Sequence, residues 1–150
     1  MPVISDAEIQ EHLRARREFC EVLLELSRRQ RALIAERDYS ELIAVIARKQ
    51  RVLGRLDALK ENQPTIVAEW TNRRDRLPAD IRSTCETHLR QTESLLVELL
   101  EEEQSSTDEL ARSRDETHRQ LVEISSGRRA HRAYGSQSAA PSHRYLDVNQ

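Results

Sequence analysis

Large apolar residues recur at helical intervals from the start of the chain. Ile9, Leu13, Cys20, Leu23, Ser27, Gln30 and Ile34 fall at steps of three, four or seven, and Phe19, Leu24, Leu26 and Leu33 widen the stripe. This spacing predicts one long amphipathic helix. Ser5 or Asp6 can cap its start, with Glu8 and Glu11 adding negative charge at its positive end. Asp38 followed three residues later by Glu41 predicts a restart at about Tyr39, each side chain satisfying the other's backbone N–H. Leu42, Val45, Lys49, Val52, Leu56 and Leu59 then alternate by three and four, flanked by Ile43, Ile46 and Leu53, so the second helix should fold back on the first.

Asn62-Gln63-Pro64 ends this second helix, because the residue before a proline is pushed out of the α region. A short helix carrying Ile66, Val67 and Trp70 follows, and Leu77-Pro78 starts a third long one with Ile81, Cys85, His88 or Leu89, Thr92, Leu95 or Leu96 and Leu99 at seam positions. Its second half is poorer. Leu110, Leu121, Val122 and Ile124 are the only large apolar residues between Glu101 and Ser126. From Gly127 on, the composition turns to Arg, His, Ser, Ala and Gly without periodicity. At ~1.5 Å per residue the third helix spans about 70 Å to Ser126, against about 48 Å and about 36 Å for the first two, so it overhangs them. The expected fold is all-α: an elongated antiparallel bundle or coiled coil of three long helices and one short helix over 1–126, then a flexible or conditionally ordered tail over 127–150.

Composition strengthens that reading. Three Gly and four Pro among 150 residues are too few to punctuate a sheet protein, and the 33% charged residues against 3% aromatics suit aliphatic seams between charged faces. A net charge of -2 supplies no field for nucleic acid or an anionic membrane. No apolar run approaches a membrane span, and the first residues lack the charge and apolar pattern of a signal peptide, so a cytoplasmic protein without stable membrane insertion is expected. Cys20 and Cys85 lie on different helices at apolar positions and are read as buried reduced thiols.

Candidate chemistry is sparse. Asp115-x-x-His118 is half of a di-iron carboxylate motif whose second half is missing, and Cys85-x-x-His88 lacks the further ligands a zinc site needs. No enzymatic activity, cofactor or metal is therefore expected. The basic clusters Arg28-Arg29-Gln30-Arg31 and Arg128-Arg129 carry no interleaved aromatics for stacking bases, which argues against nucleic acid. The acidic stretch from Glu101 to Glu116 is a hydrated helix surface or a contact for a basic partner. A protein partner remains. The overhanging, apolar-poor half of the third helix and the tail anchors single out Leu110, Leu121, Ile124, Tyr134, Tyr145 and Leu146 as its binding residues.

Two segments carry a family likeness. Leu33-Ile34-Ala35-Glu36-Arg37-Asp38-Tyr39-Ser40-Glu41-Leu42, where one helix ends and an acidic cap starts the next, and Lys49-Gln50-Arg51-Val52-Leu53-Gly54-Arg55-Leu56-Asp57-Ala58-Leu59 resemble flagellar type III export chaperones of the FlgN family. The long third helix followed by Tyr134-Gly135 is similar to the end of that family. The resemblance implies a cytosolic chaperone, monomeric or weakly dimeric, that holds unassembled flagellar hook-associated subunits of the hook-filament junction through its C-terminal helix and tail. It also implies that Tyr134 matches the tail tyrosine with which the family docks to the membrane export gate. The alternative is a structural coiled-coil adaptor or dimerisation module with no export role.

Overall fold

Ser5 opens the first helix by a reciprocal pair of bonds. Its hydroxyl accepts from the Glu8 N–H at 3.2 Å, and the Glu8 carboxylate accepts from the Ser5 N–H at 2.7 Å. Two donors orphaned at a helix start are thereby satisfied. α1 spans Asp6–Glu36 and ends where Arg37 adopts φ 59°, its N–H donating to the Ile34 carbonyl at 3.1 Å while the Asp38 N–H reaches the Leu33 carbonyl at 3.0 Å. Glycine usually takes that left-handed position, and a side chain there costs about 1 kcal/mol. α2, Tyr39–Asn62, starts at once with Asp38 accepting from the Glu41 N–H at 3.2 Å. The reciprocal bond expected from Glu41 does not form, because the Asp38 N–H is already given to Leu33.

A computed structural model describes the backbone of residues 3–148 and the side chains of residues 3–135. After α2 come α3, Ile66–Arg73, a single tight turn over Arg74–Arg76, and α4, Ala79–Val148. The described residues contain no strand, and the architecture is an all-α helical bundle. α4 continues past Ser126, where the composition led to an expected stop, and passes through Gly127 and Gly135. Strong helix formers explain part of this, since Arg128, Arg129, Ala130, Arg132 and Ala133 fill the turns between the two glycines. The chain divides into two units, Met1–Glu109 and Leu110–Gln150.

Within the first unit α2 returns antiparallel to α1, with Lys49 bonded to Gln30 and His12 to Gln63. α4 instead runs parallel to α1, since Arg17 meets His88, Arg28 meets Glu98 and Arg31 meets Glu102 in one register. Two apolar clusters hold the ends. Ile9, Leu13, Ile66, Trp70, Leu77 and Cys85 form one, with Ile4, Ile81 and Leu89 packed against it. Arg73 clasps this end by donating to the Ile4 carbonyl and to Asp6. Leu33, Ile34, Leu42 and Val45 form the other cluster, beside the α1–α2 turn.

Every α1 seam residue named from the sequence is buried, including Ser27 and Gln30, and His12 joins them. α4 differs from expectation. Cys85 and Thr92 are buried as their spacing predicts, but Leu95 and Leu99 are only half-buried and Ser106 is buried, so small and polar side chains occupy the α4 seam. Cys20 and Cys85 are free and buried.

These burials rank the costs of truncation. Leu33→Ala should destabilise by about 3 kcal/mol, Leu99→Ala by about 1 kcal/mol and Leu121→Ala by less than about 0.5 kcal/mol, as measured by chemical denaturation. Gly54→Ala should do the opposite. A Cβ on Gly54 meets nothing within 4 Å, so the helix should gain about 0.5–1 kcal/mol, visible as a raised melting temperature.

Candidate functional site

The middle of the first unit is polar. Lys49 projects from the α2 seam with its side chain 13% exposed, and its Nζ donates to Gln30 Oε1 at 2.8 Å and to Glu103 Oε1. Ser27 Oγ donates to the same Glu103 oxygen at 2.7 Å. Three helices thus meet on one ion pair. Because a lysine side chain is long, its methylenes pack among the seam residues while the ammonium reaches its partners.

This network floors a cleft of about 310 Å3 between α2 and α4. Its walls are Ile46 and Leu53 from α2, Leu99 from α4 and Leu23 from α1, with Gln50 at the edge. Further aliphatics stand outside it in helical series. Ile43 is 69% exposed and Leu100 70%, with Val97 and Leu96 also exposed. Side chains of this size rarely stand in line at a surface without a function, whereas single ones are common. A second cleft, of about 410 Å3, lies where α2 ends, lined by His12, Leu56, Leu59, Ile66 and Val67 among others.

Electrostatics separate the two sides of α4. Toward α1, Arg28 and Arg31 pair with Glu98 and Glu102, and Arg17 Nε donates to His88 Nδ1 at 3.1 Å. Burial first, then the charges of Arg17 and Arg14, hold the His88 pKa below its ordinary 6.5. Burial pushes Glu103 upward, but the hydrogen bonds from Lys49 and Ser27 more than offset it and leave the carboxyl below its ordinary 4.5. Burial raises both cysteine thiols, which are correspondingly poor nucleophiles.

The residues singled out from sequence all belong to the second unit. Leu110 is 42% exposed, Leu121 59%, Ile124 52% and Tyr134 76%. Leu110, Leu121 and Ile124 are separated by eleven and three residues and so share one row of α4; Tyr134 lies about 80° round the helix from Ile124. The side chains of Tyr145 and Leu146 lie outside the described residues. Neither half-motif gains a third ligand. No group of three His, Cys, Asp or Glu side chains suited to a metal occurs among the described residues, and Cys85 is packed in the apolar cluster.

Sequence reasoning missed the α2/α4 cleft. Its signal was present in the width of the α2 stripe, since Ile43, Ile46 and Leu53 flank the seam in excess of what one neighbouring helix can cover. Comparison of the chain with protein-family models, with curated proteins and with solved structures finds no match.

Both shifted groups bind fewer protons when folded, so acidification should destabilise the bundle. His88 contributes stability that is present above 6.5 and lost as pH falls toward its lowered value. Glu103 contributes stability present above 4.5 and lost as pH falls through its own lowered value. Denaturation midpoints across this range should show the acid phase flattened in Glu103→Gln and retained in a His88→Gln variant. At neutral pH Glu103→Gln should cost about 1 kcal/mol, the partial exposure of Glu103 limiting the loss.

Proposed function

We propose that this protein is a helix-binding module, and that it serves as a cytoplasmic export chaperone for flagellar hook-filament junction subunits. The observation that carries the first part is the exposure of large aliphatic side chains in helical series, Ile43, Leu53, Val97 and Leu100 in the first unit and Leu110, Leu121 and Ile124 in the second. An amphipathic client helix removes such surface from water at ~25 cal/mol per Å2 and finds ready-made helical neighbours to pack on. The second part rests on the likeness of the Leu33-to-Leu42 and Lys49-to-Leu59 segments to FlgN-like chaperones. In this reading Leu110, Leu121 and Ile124 grip the client, while Tyr134, with Tyr145 and Leu146, serves delivery to the type III export gate. Catalysis, a cofactor and a metal have no part in the mechanism.

The same exposed rows suit a structural coiled-coil module that pairs two copies of the chain. Sedimentation without client separates the two readings: a chaperone is a monomer or a weak dimer, and a structural module is a tight dimer.

Leu121→Ala, Ile124→Ala and Tyr134→Ala should each weaken binding of a junction subunit or of the export gate by about fivefold or more, since interface anchors dominate affinity. Thermal stability should barely change. Deleting everything after Ser126 should weaken binding further. Normal binding and normal export by the truncated chain would exclude the C-terminal assignment.

A further inference from the structure

The second cleft, of about 410 Å3, lies where α2 gives way to α3, with α1 as its other wall. Two polar groups that line it lack partners. Arg16 is half-buried, and its neighbours Arg14 and Arg17 are each paired with glutamates of their own helix. Arg16 has no acid three or four residues away and forms no ion pair among the described residues. His12, one turn before it, is 6% exposed, with its Nδ1 2.9 Å from Gln63 Oε1. Gln63 is itself fixed, its N–H donating to the Leu59 carbonyl at 3.2 Å and its carbonyl accepting from the Ile66 N–H at 3.3 Å. Because Oε1 only accepts, Nδ1 carries the proton of the neutral ring and Nε2 presents a lone pair. No donor meets that lone pair among the described residues, where Ser106 Oγ is the one polar side-chain atom sealed in without a partner, so Nε2 opens to the cleft.

The rest of the lining is largely aliphatic, with Leu56 and Leu59 from α2 and Ile66 and Val67 from α3. Asp57 and Lys60 are exposed within one turn of each other, so their charges offset, and the uncompensated charge of the cleft is that of Arg16. Arg55 and Glu61, the next charges along α2, do not line it. A cation, a hydrogen-bond acceptor and an apolar wall in one small cleft are the complement of an acylated aliphatic amino acid, whose carboxylate, amide N–H and branched side chain all sit on one carbon. We propose that the cleft binds this group, with Arg16 on the carboxylate, His12 Nε2 accepting from the N–H, and Leu56, Leu59 and Val67 around the side chain. The last residue of a peptide and a free N-acyl amino acid both present it. A cationic group fails on Arg16, and a bare fatty carboxylate leaves the His12 lone pair unmet. The site shares no residue with the aliphatic rows that carry the helix-binding reading, and it stands or falls apart from that reading.

Isothermal titration of the full chain with an acetylated peptide ending in leucine tests this. Amidation of the terminal carboxylate should weaken binding about tenfold or more, and N-methylation of the last amide about fivefold. Arg16→Gln should cause the same loss as amidation and no further loss for the amidated peptide, because the two changes remove one interaction. The circular dichroism spectrum should not change, since Arg16 pairs with nothing in the free protein. N-acetylleucine binding as tightly as the peptide would assign the site to a free small molecule, and tighter binding of the peptide would assign it to a chain end. Indifference to amidation, to N-methylation or to Arg16→Gln, or no binding by either acid, would overturn the proposal.

Discussion

The ammonium of Lys49 governs the first unit. It is nearly enclosed by three helices, and an ion held there without partners would cost several kcal/mol. The apolar clusters at either end are indifferent to small slips, because dispersion and burial have little direction. The network of Lys49, Glu103, Gln30 and Ser27 is not. Sliding α2 by one turn against α1 and α4 takes Lys49 about 5.4 Å from its acceptors, so one register alone keeps the charge satisfied.

That constraint also shapes the surface. With a lysine and a glutamate at the centre of the α2/α4 contact, the aliphatic flanks of the two helices do not meet over it. Ile46, Leu53 and Leu99 are left as walls and the ion pair as a floor. The opposite side of α4 is polar and paired instead: α1 presents Arg17, Arg28 and Arg31 to it and each finds a partner, and the cleft on that side is lined mainly by polar residues, Glu21, Arg90, Gln91, Ser94 and Glu98 with Leu95. One helix therefore carries a polar, ion-paired face toward α1 and an aliphatic-walled one toward α2.

Much of this was legible in the sequence, and for identifiable reasons. Helix boundaries at Asp38 and near Pro64 and Pro78 follow from local rules, capping by a carboxylate and the steric demand of proline, which need no tertiary information. Burial of Ser27, Gln30 and Thr92 followed from spacing alone, despite their polarity. Spacing could not reveal which polar groups would meet. Ser27 and Glu103 are 76 residues apart and Lys49 and Glu103 are 54 apart, so the network is a product of the bundle, and with it the cleft. His12 and Ser106 escaped for a different reason: unlike Ser27, Gln30 and Thr92 they are not bracketed by large apolar residues at helical steps, His12 lying one residue off the Ile9–Leu13 row and Ser106 past Glu101, where apolar residues thin out. That α4 runs on past Ser126 has no apolar signal, and it follows from the helix propensity that stays high between the two glycines.

An exposed aliphatic groove in a free protein is a standing hazard, because nothing in the hydrophobic effect distinguishes a proper guest from the protein's own helices or from another unfolded chain. The polar floor answers part of that problem. Closing α2 onto α4 to hide the leucines would squeeze Lys49 and Glu103 into a drier site, where the pair gains little and loses the water that serves the exposed side of Glu103. Collapse is therefore opposed from within, and the groove stays open without a rigid frame.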